Sequence, residues 1–347
     1  MKARSFSSVL VPPTYSEIAS RSDVELYTDF GPTILSLPII SANMKTVTGS
    51  EMAGAMYKAG GFGFLHRFDN VKDNVEMFNV AMDEITFPEC TSSNKMARVR
   101  RHSVGVSVGV NEKDRYRFDA LYVAGARIFC IDIAHGHHLK MKQMIEYIRG
   151  NEDEEITIVA GNVATPQGAR DLYTWGADII KVGIGPGAVC TTRRSTGIGV
   201  PQFEAIKNIH DQYSKIPLIA DGGCRDGGDI AIALAAGAST VMLGSILAGH
   251  VETPGKVYAE DSTDMVNRRY YKLHYGSASS ENKGENRFVE GKMIKIPFKG
   301  HVKYILREIK EDLQSNISYR GCKTIAKWRD TIEFVDIDSG ATAESER

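Results

Sequence analysis

The chain has 347 residues, 42 Lys plus Arg against 43 Asp plus Glu, and 42% hydrophobic residues. That length buries a large core and suits one α/β barrel with added loops as well as two ordinary domains. The near balance of charge leaves no global positive field for nucleic acid or a membrane surface, so neither partner is expected, and an anionic ligand has to be held locally.

Five cysteines, Cys90, Cys130, Cys190, Cys224 and Cys322, are widely spaced and contain no CxxC pair. This disfavours a disulfide framework and a zinc site and fits a reducing cytoplasm. No apolar run approaches membrane-spanning length, and the N-terminal residues lack the apolar centre of a signal peptide.

In chain order, short apolar runs rich in Val and Ile recur at 38–42, 62–65, 104–108, 128–133, 156–160, 179–182, 217–220 and 240–243. They do not alternate, and amphipathic stretches such as 165–175 and 201–210 separate most of them, as expected of buried parallel strands joined by helices. Ala-Gly-Ala at 124–126, Gly-Ala-Asp at 176–178 and Ala-Gly-Ala at 236–238 each precede a run and read as a repeated helix-to-strand turn. Eight such units predict a single (β/α)8 TIM barrel. Its chemistry is then expected on the loops after the strands, at 41–44, 132–137, 161–162, 183–193, 221–223 and 244–245.

The loop 183–193 carries the clearest chemical signal. Gly183, Gly185 and Gly187 permit close backbone approach, Pro186 stiffens the turn, and Cys190 stands at its end, followed by Thr191, Thr192 and Arg193. Clustered N–H donors and the Arg193 charge would stabilise a thiolate able to attack an electrophilic carbon; the plainer alternative is a buried, inert thiol. Asp221 followed by Gly222 and Gly223 offers a carboxylate for two ribose hydroxyls, or else a cap for the helix expected from about 226. Gly244 and Ser245 suit a phosphate held by backbone N–H groups. Asp132 stands at a strand end, where helix capping or a core hydrogen bond is the plain alternative to a ligand contact. His135 and His137 lack a clustered third ligand, so no metal is assigned to them.

The segment 181–202, together with 219–229, 241–249 and 132–137, resembles the inosine-monophosphate dehydrogenase and guanosine-monophosphate reductase superfamily over nearly the whole chain. The resemblance implies that Cys190 attacks C2 of a purine nucleotide to give a thioimidate that exchanges hydride with a nicotinamide cofactor. It implies ribose binding by Asp221 and phosphate contacts at Gly222, Gly223, Gly244 and Ser245. Within the superfamily, 42–44, 275–279 and 289–292 resemble the bacterial reductase. Residues 16–47 and 60–67 look as much like the dehydrogenase, so the choice of branch rests on the C-terminal half. The short 276–290 segment contains no Arg-Tyr pair of the kind the dehydrogenase uses to activate water.

The reductase resemblance implies a proton-transfer pair of Thr192 and Glu290, further nucleotide contacts at Gly276, Ser277, Ala278, Arg287 and Gly291, and GMP and IMP as ligands. For the cofactor, NADPH, it implies Ser20, Arg21, Asp132, Ile184, Gly185, Ser277, Asn286, Arg287 and Ser315, with Ser20 and Arg21 supplied by a neighbouring subunit of a homotetramer. Potassium on the loop around Gly185, Gly187, Cys190 and Arg193 is also implied. The expected organisation is one barrel over 1–347 with no inserted regulatory module, a short active-site flap at 277–300 and a flexible tail at 338–347. IMP dehydrogenase and a catalytically silent nucleotide-binding barrel are the alternatives.

Overall fold

The computed structural model describes residues 3–85, 102–151, 153, 155–260, 268–276 and 291–345. Eight parallel strands close a barrel in sequential order: β1 (Ile39–Ser41), β2 (Phe62–Leu65), β3 (Gly105–Val108), β4 (Ile128–Asp132), β5 (Thr157–Val163), β6 (Ile179–Val182), β7 (Leu218–Asp221) and β8 (Thr240–Leu243). Helices cover the strands from outside, so the strands are buried on both faces. That double burial is why the apolar runs do not alternate. The fold is a (β/α)8 TIM barrel, and every predicted run meets a strand. β5 runs past its predicted end to Val163, with an irregularity in its pairing with β6 between Gly161 and Val163.

The inside of the barrel is packed. Ile40, Phe62, Phe64, Ile128, Cys130, Val159, Ile179, Ile219 and Met242 form one cluster, closed by Phe30 and Leu35. These last two come from an antiparallel hairpin, Thr28–Phe30 with Thr33–Leu35, that the sequence reading does not predict. A second unpredicted element is a three-stranded antiparallel sheet of β9 (Tyr258–Ala259), β10 (Tyr270–Tyr275) and β11 (Met293–Pro297), inserted between β8 and the last covering helix, Val302–Tyr319. β11 falls within the expected 277–300 flap, so part of that segment is a paired strand. The expected tail holds a helix over Ser339–Ser345, and Thr342 Oγ1 donates to the Ser7 carbonyl at 3.0 Å.

The repeated helix-to-strand turn has one physical basis. Gly125, Gly176 and Gly237 all have positive φ, near +106°, +113° and +115°. An L side chain rarely adopts that conformation, so glycine ends each helix. The three sites differ in space: a Cβ on Gly237 would sit 2.2 Å from His210 Cγ, whereas one on Gly125 meets nothing within 4 Å. Gly125→Ala is therefore expected to lose about 1 kcal/mol of stability and Gly237→Ala about 2–4 kcal/mol. Parallel urea titrations check this, and equal losses would show that conformation alone governs both turns.

Candidate functional site

Alternate residues of a barrel strand face the interior. Cys130, Ile179 and Ile219 belong to the interior cluster. Two residues further along their strands stand Asp132, Lys181 and Asp221, so the pleat sends all three into the barrel at the C-terminal strand ends. Lys181 is only 1% exposed, and its Nζ donates to Asp132 Oδ1 at 2.7 Å and to Asp221 Oδ2 at 2.6 Å. Asn162 Nδ2 donates to Asp221 Oδ2 at 2.8 Å and to the Gly183 carbonyl at 2.7 Å. Burial works to neutralise Lys181, but the two carboxylates outweigh it and hold its pKa above the ordinary lysine value. Burial likewise works to raise Asp132, and Lys181 and then Arg67 overcome it, leaving the carboxyl below the usual range.

A cavity of about 370 Å³ opens above this trio, within the span of roughly 300–1,000 Å³ common for small-molecule sites. Its walls come from the loop after β1 (Ala42, Asn43, Met44), Arg67, Asp132, Asn162, Lys181, the β6 loop from Gly183 to Thr192, Asp221, Gly222 and Gly276. Another recess, of about 480 Å³, lies around Tyr27, Ile34 and Arg329 and includes none of the motif residues.

The β6 loop is held tightly against β7. Gln202 Nε2 donates to the carbonyls of Val182, at 2.8 Å, and Asp221, at 3.2 Å. Gly183 has φ near +147°, and a Cβ there would lie 2.2 Å from the Asp221 carbonyl oxygen, so this close approach requires glycine. Cys190 emerges half-buried into the cavity, whereas the other described cysteines, Cys130, Cys224 and Cys322, are buried. Burial pushes the thiols of Cys130 and Cys224 up and keeps them protonated. The Cys190 thiol lies 3.3 Å from Thr192 Oγ1. Burial lowers the Arg193 pKa, with Cys190 acting in the opposite sense; Arg193 Nε donates to the Ile184 carbonyl at 3.2 Å. Arg193 thus braces the loop from within.

The chain on either side of residues 277–290 returns to the same loop. Gly276 lies beside Val189, Gly291 forms an antiparallel bridge with Cys190, and the Lys292 N–H donates to the Val189 carbonyl at 3.0 Å. β10 is in turn tied to the loop after β1, where Thr46 Oγ1 and His274 Nδ1 are 2.8 Å apart. Burial depresses the His274 pKa to about 4, so the ring is neutral in the folded protein near neutral pH. Between pH 6.5 and 4 the unfolded chain takes up the proton and the folded chain does not, so this histidine withdraws stability as pH falls, by as much as roughly 2–3 kcal/mol. The unfolding free energy of a His274→Asn variant should fall less steeply between pH 6.5 and 4 than that of the parent. An unchanged slope would remove His274 as a cause.

The structure brings Cys190, Thr192, Asp132, Ile184, Gly185, Gly187, Asp221, Gly222 and Gly276 to one cavity, with Gly291 paired to Cys190. Gly223 packs behind them, where its Cβ would meet Pro186 at 3.2 Å, and Gly244 lies against Met44. The Ser245 carbonyl accepts a hydrogen bond from Lys299 Nζ at 3.3 Å. Ser20, Arg21 and Ser315 do not line the cavity. Arg21 Nη1 donates to Ser315 Oγ at 3.0 Å, and Ser20 caps the short turn at Arg21. Ser277, Ala278, Asn286, Arg287 and Glu290 lie outside the described residues.

Sequence reading gives no role to Lys181 or Arg67. The signal for Lys181 was its spacing of two from Ile179, which repeats the spacing of Asp132 from Cys130 and of Asp221 from Ile219. Arg67 follows β2, and its Nη2 donates to the main-chain oxygen of Asp132 at 3.2 Å. Arg67 Nε and Asn162 Oδ1 are buried and find no hydrogen-bond partner among the described residues, one a donor and one an acceptor at the cavity wall.

A parallel barrel with a half-buried cysteine and two aspartates joined through one buried lysine around a cavity at its C-terminal strand ends has the form of a TIM-barrel enzyme acting on a small polar molecule. The model of the IMP dehydrogenase / GMP reductase domain matches residues 3–347, and the chain belongs to this family. It is 40% identical over 333 residues to a GMP reductase of Leptothrix cholodnii, covering 95% of this chain and 94% of that one. A GMP reductase of Mesoplasma florum is 39% identical over 329 residues, covering 94% and 95%. One from Streptococcus pyogenes serotype M4 is 38% identical over 336 residues, covering 95% and 93%.

Proposed function

We propose that the chain is an NADPH-dependent GMP reductase that converts GMP to IMP and ammonia, a step of purine nucleotide salvage in the cytoplasm. The observation that carries this reading is the half-buried Cys190, with Thr192 Oγ1 at 3.3 Å and Asp221 across the same cavity. The names of the similar proteins support the direction of the reaction.

The nucleotide lies with its ribose hydroxyls on Asp221 and its phosphate on the backbone of Gly222, Gly223, Gly244 and Ser245. Its purine C2 then faces Cys190. The thiolate adds to C2, and the exocyclic amine leaves as ammonia once protonated, giving a thioimidate on Cys190. Protonation falls to Thr192 and Glu290. Glu290 is the chain neighbour of Gly291, whose backbone pairs with Cys190, and this supports its place in the pair.

When bound, a reduced nicotinamide would supply the hydride with which IMP leaves Cys190. The residues present fit its carboxamide, because Arg67 Nε and Asn162 Oδ1 offer the unpaired donor and acceptor that such an amide matches. Asp132 and the backbone at Ile184 and Gly185 complete that side of the cavity. Ser20 and Arg21, away from the cavity, fit a remote part of the cofactor held by a neighbouring subunit of a homotetramer, and Ser315, hydrogen-bonded to Arg21, would stand at the same remote part. A potassium ion would be held by backbone carbonyls of the β6 loop. Those of Gly187 and Arg193 each accept one N–H, from Cys190 and Gly197, and keep a second lone pair.

Product analysis tests the function. With GMP and NADPH the protein is expected to yield IMP and ammonia in equal amounts, and with IMP and NAD little XMP. Faster formation of XMP would identify a dehydrogenase, and no turnover in either direction a silent barrel.

A further inference from the structure

We propose that Lys181 is a positioning residue that keeps Asp132 and Asp221 ionised together, so that the ribose side and the cofactor side of the cavity depend on one buried ammonium. The assignment rests on the reading of Asp221 as the ribose ligand.

Both carboxylates touch the same Nζ, at 2.7 and 2.6 Å, so the bonded oxygens lie within about 5 Å of each other around a lysine that is itself fully buried. Two carboxylates that close do not both stay charged without a cation between them, and one takes up a proton. Arg67 is the other cation facing the pair, and its hydrogen bond goes to the main-chain oxygen of Asp132. Asn43 and Asn162 are neutral, and the Cys130 thiol below is kept protonated by its burial. The trio of Asp132, Lys181 and Asp221 carries a net charge of −1. Removing the ammonium leaves −2, and removing one carboxylate as well returns it to −1.

This arithmetic gives a rescue that a purely structural role for Lys181 does not predict. In calorimetric titration of the full chain with IMP at pH 7, Lys181→Met is expected to bind roughly 10- to 100-fold more weakly than the parent. Adding Asp132→Asn to Lys181→Met should restore affinity to within about threefold of Asp132→Asn alone, with circular dichroism showing that each variant is folded. If Lys181→Met does not fold, the comparison of the double variant with Asp132→Asn still decides. A double variant that stays as weak as Lys181→Met, or a gap well beyond threefold from Asp132→Asn, overturns the assignment. So does parental affinity in Lys181→Met. Asp221→Ala separates the two levels of the argument. If it binds IMP as the parent does, the ribose reading falls and the Lys181 assignment with it. If it loses IMP while the rescue fails, only the Lys181 assignment falls.

Discussion

Replacing Cys190 by Ala is expected to lower turnover of GMP by at least ~10⁴-fold while changing IMP affinity by no more than about threefold. The two effects separate because the groups proposed to hold the nucleotide stand on other strands. Asp221 ends β7, and Gly244 and Ser245 follow β8, whereas Cys190 sits on the loop after β6. Among the described residues no second exposed thiol is placed to substitute, since Cys130, Cys224 and Cys322 are buried. Calorimetric IMP titration alongside steady-state assay checks both halves. Residual turnover within tenfold of the parent would exclude covalent catalysis at Cys190. Loss of IMP binding would show that the loop itself had collapsed.

Glu290→Gln should divide the reaction at its middle. Expulsion of the amine requires an acid, so the variant is expected to lose about 10²- to 10⁴-fold in GMP turnover. The other half, entered from IMP and NADP, has no leaving amine, and its rate should fall by less than about fivefold. Thr192→Val should show the same division if its hydroxyl, 3.3 Å from the Cys190 thiol, relays the proton as proposed. Stopped-flow measurement of reduced-cofactor absorbance in the IMP direction, set against ammonia release from GMP, gives both numbers. Equal losses in the two halves would assign Glu290 to structure or to a different step.

The barrel was legible because buried parallel strands leave continuous apolar runs and because each Ala-Gly-Ala or Gly-Ala turn carries the positive φ that glycine supplies. Elements outside the barrel were not. The hairpin bearing Phe30 and Leu35 has three-residue strands, too short to show a period. β9 is only two residues long, β10 buries Lys272 and His274, and β11 buries Ile296 alone, so no apolar run or apolar alternation marks these strands in the sequence. That Cys190 and Asp221 stand at one cavity was legible from a Gly-rich loop and a strand end, and that Thr192 joins them came from the resemblance. Lys181 was not, because a lysine inside an apolar run reads as an interruption until the pleat is known to aim it at two carboxylates. Arg67 was hidden for a related reason: its partner is a main-chain oxygen some 65 residues away, which no local pattern encodes.

Peptide mapping by mass spectrometry, after incubation with IMP and NADP and rapid quenching, tests covalent catalysis at Cys190 most directly. A nucleotide adduct is expected on the peptide containing Cys190, formed only when both compounds are present and absent from Cys190→Ala. A fully active protein that yields no adduct, or one bearing it on Cys90, Cys130, Cys224 or Cys322, would contradict the account.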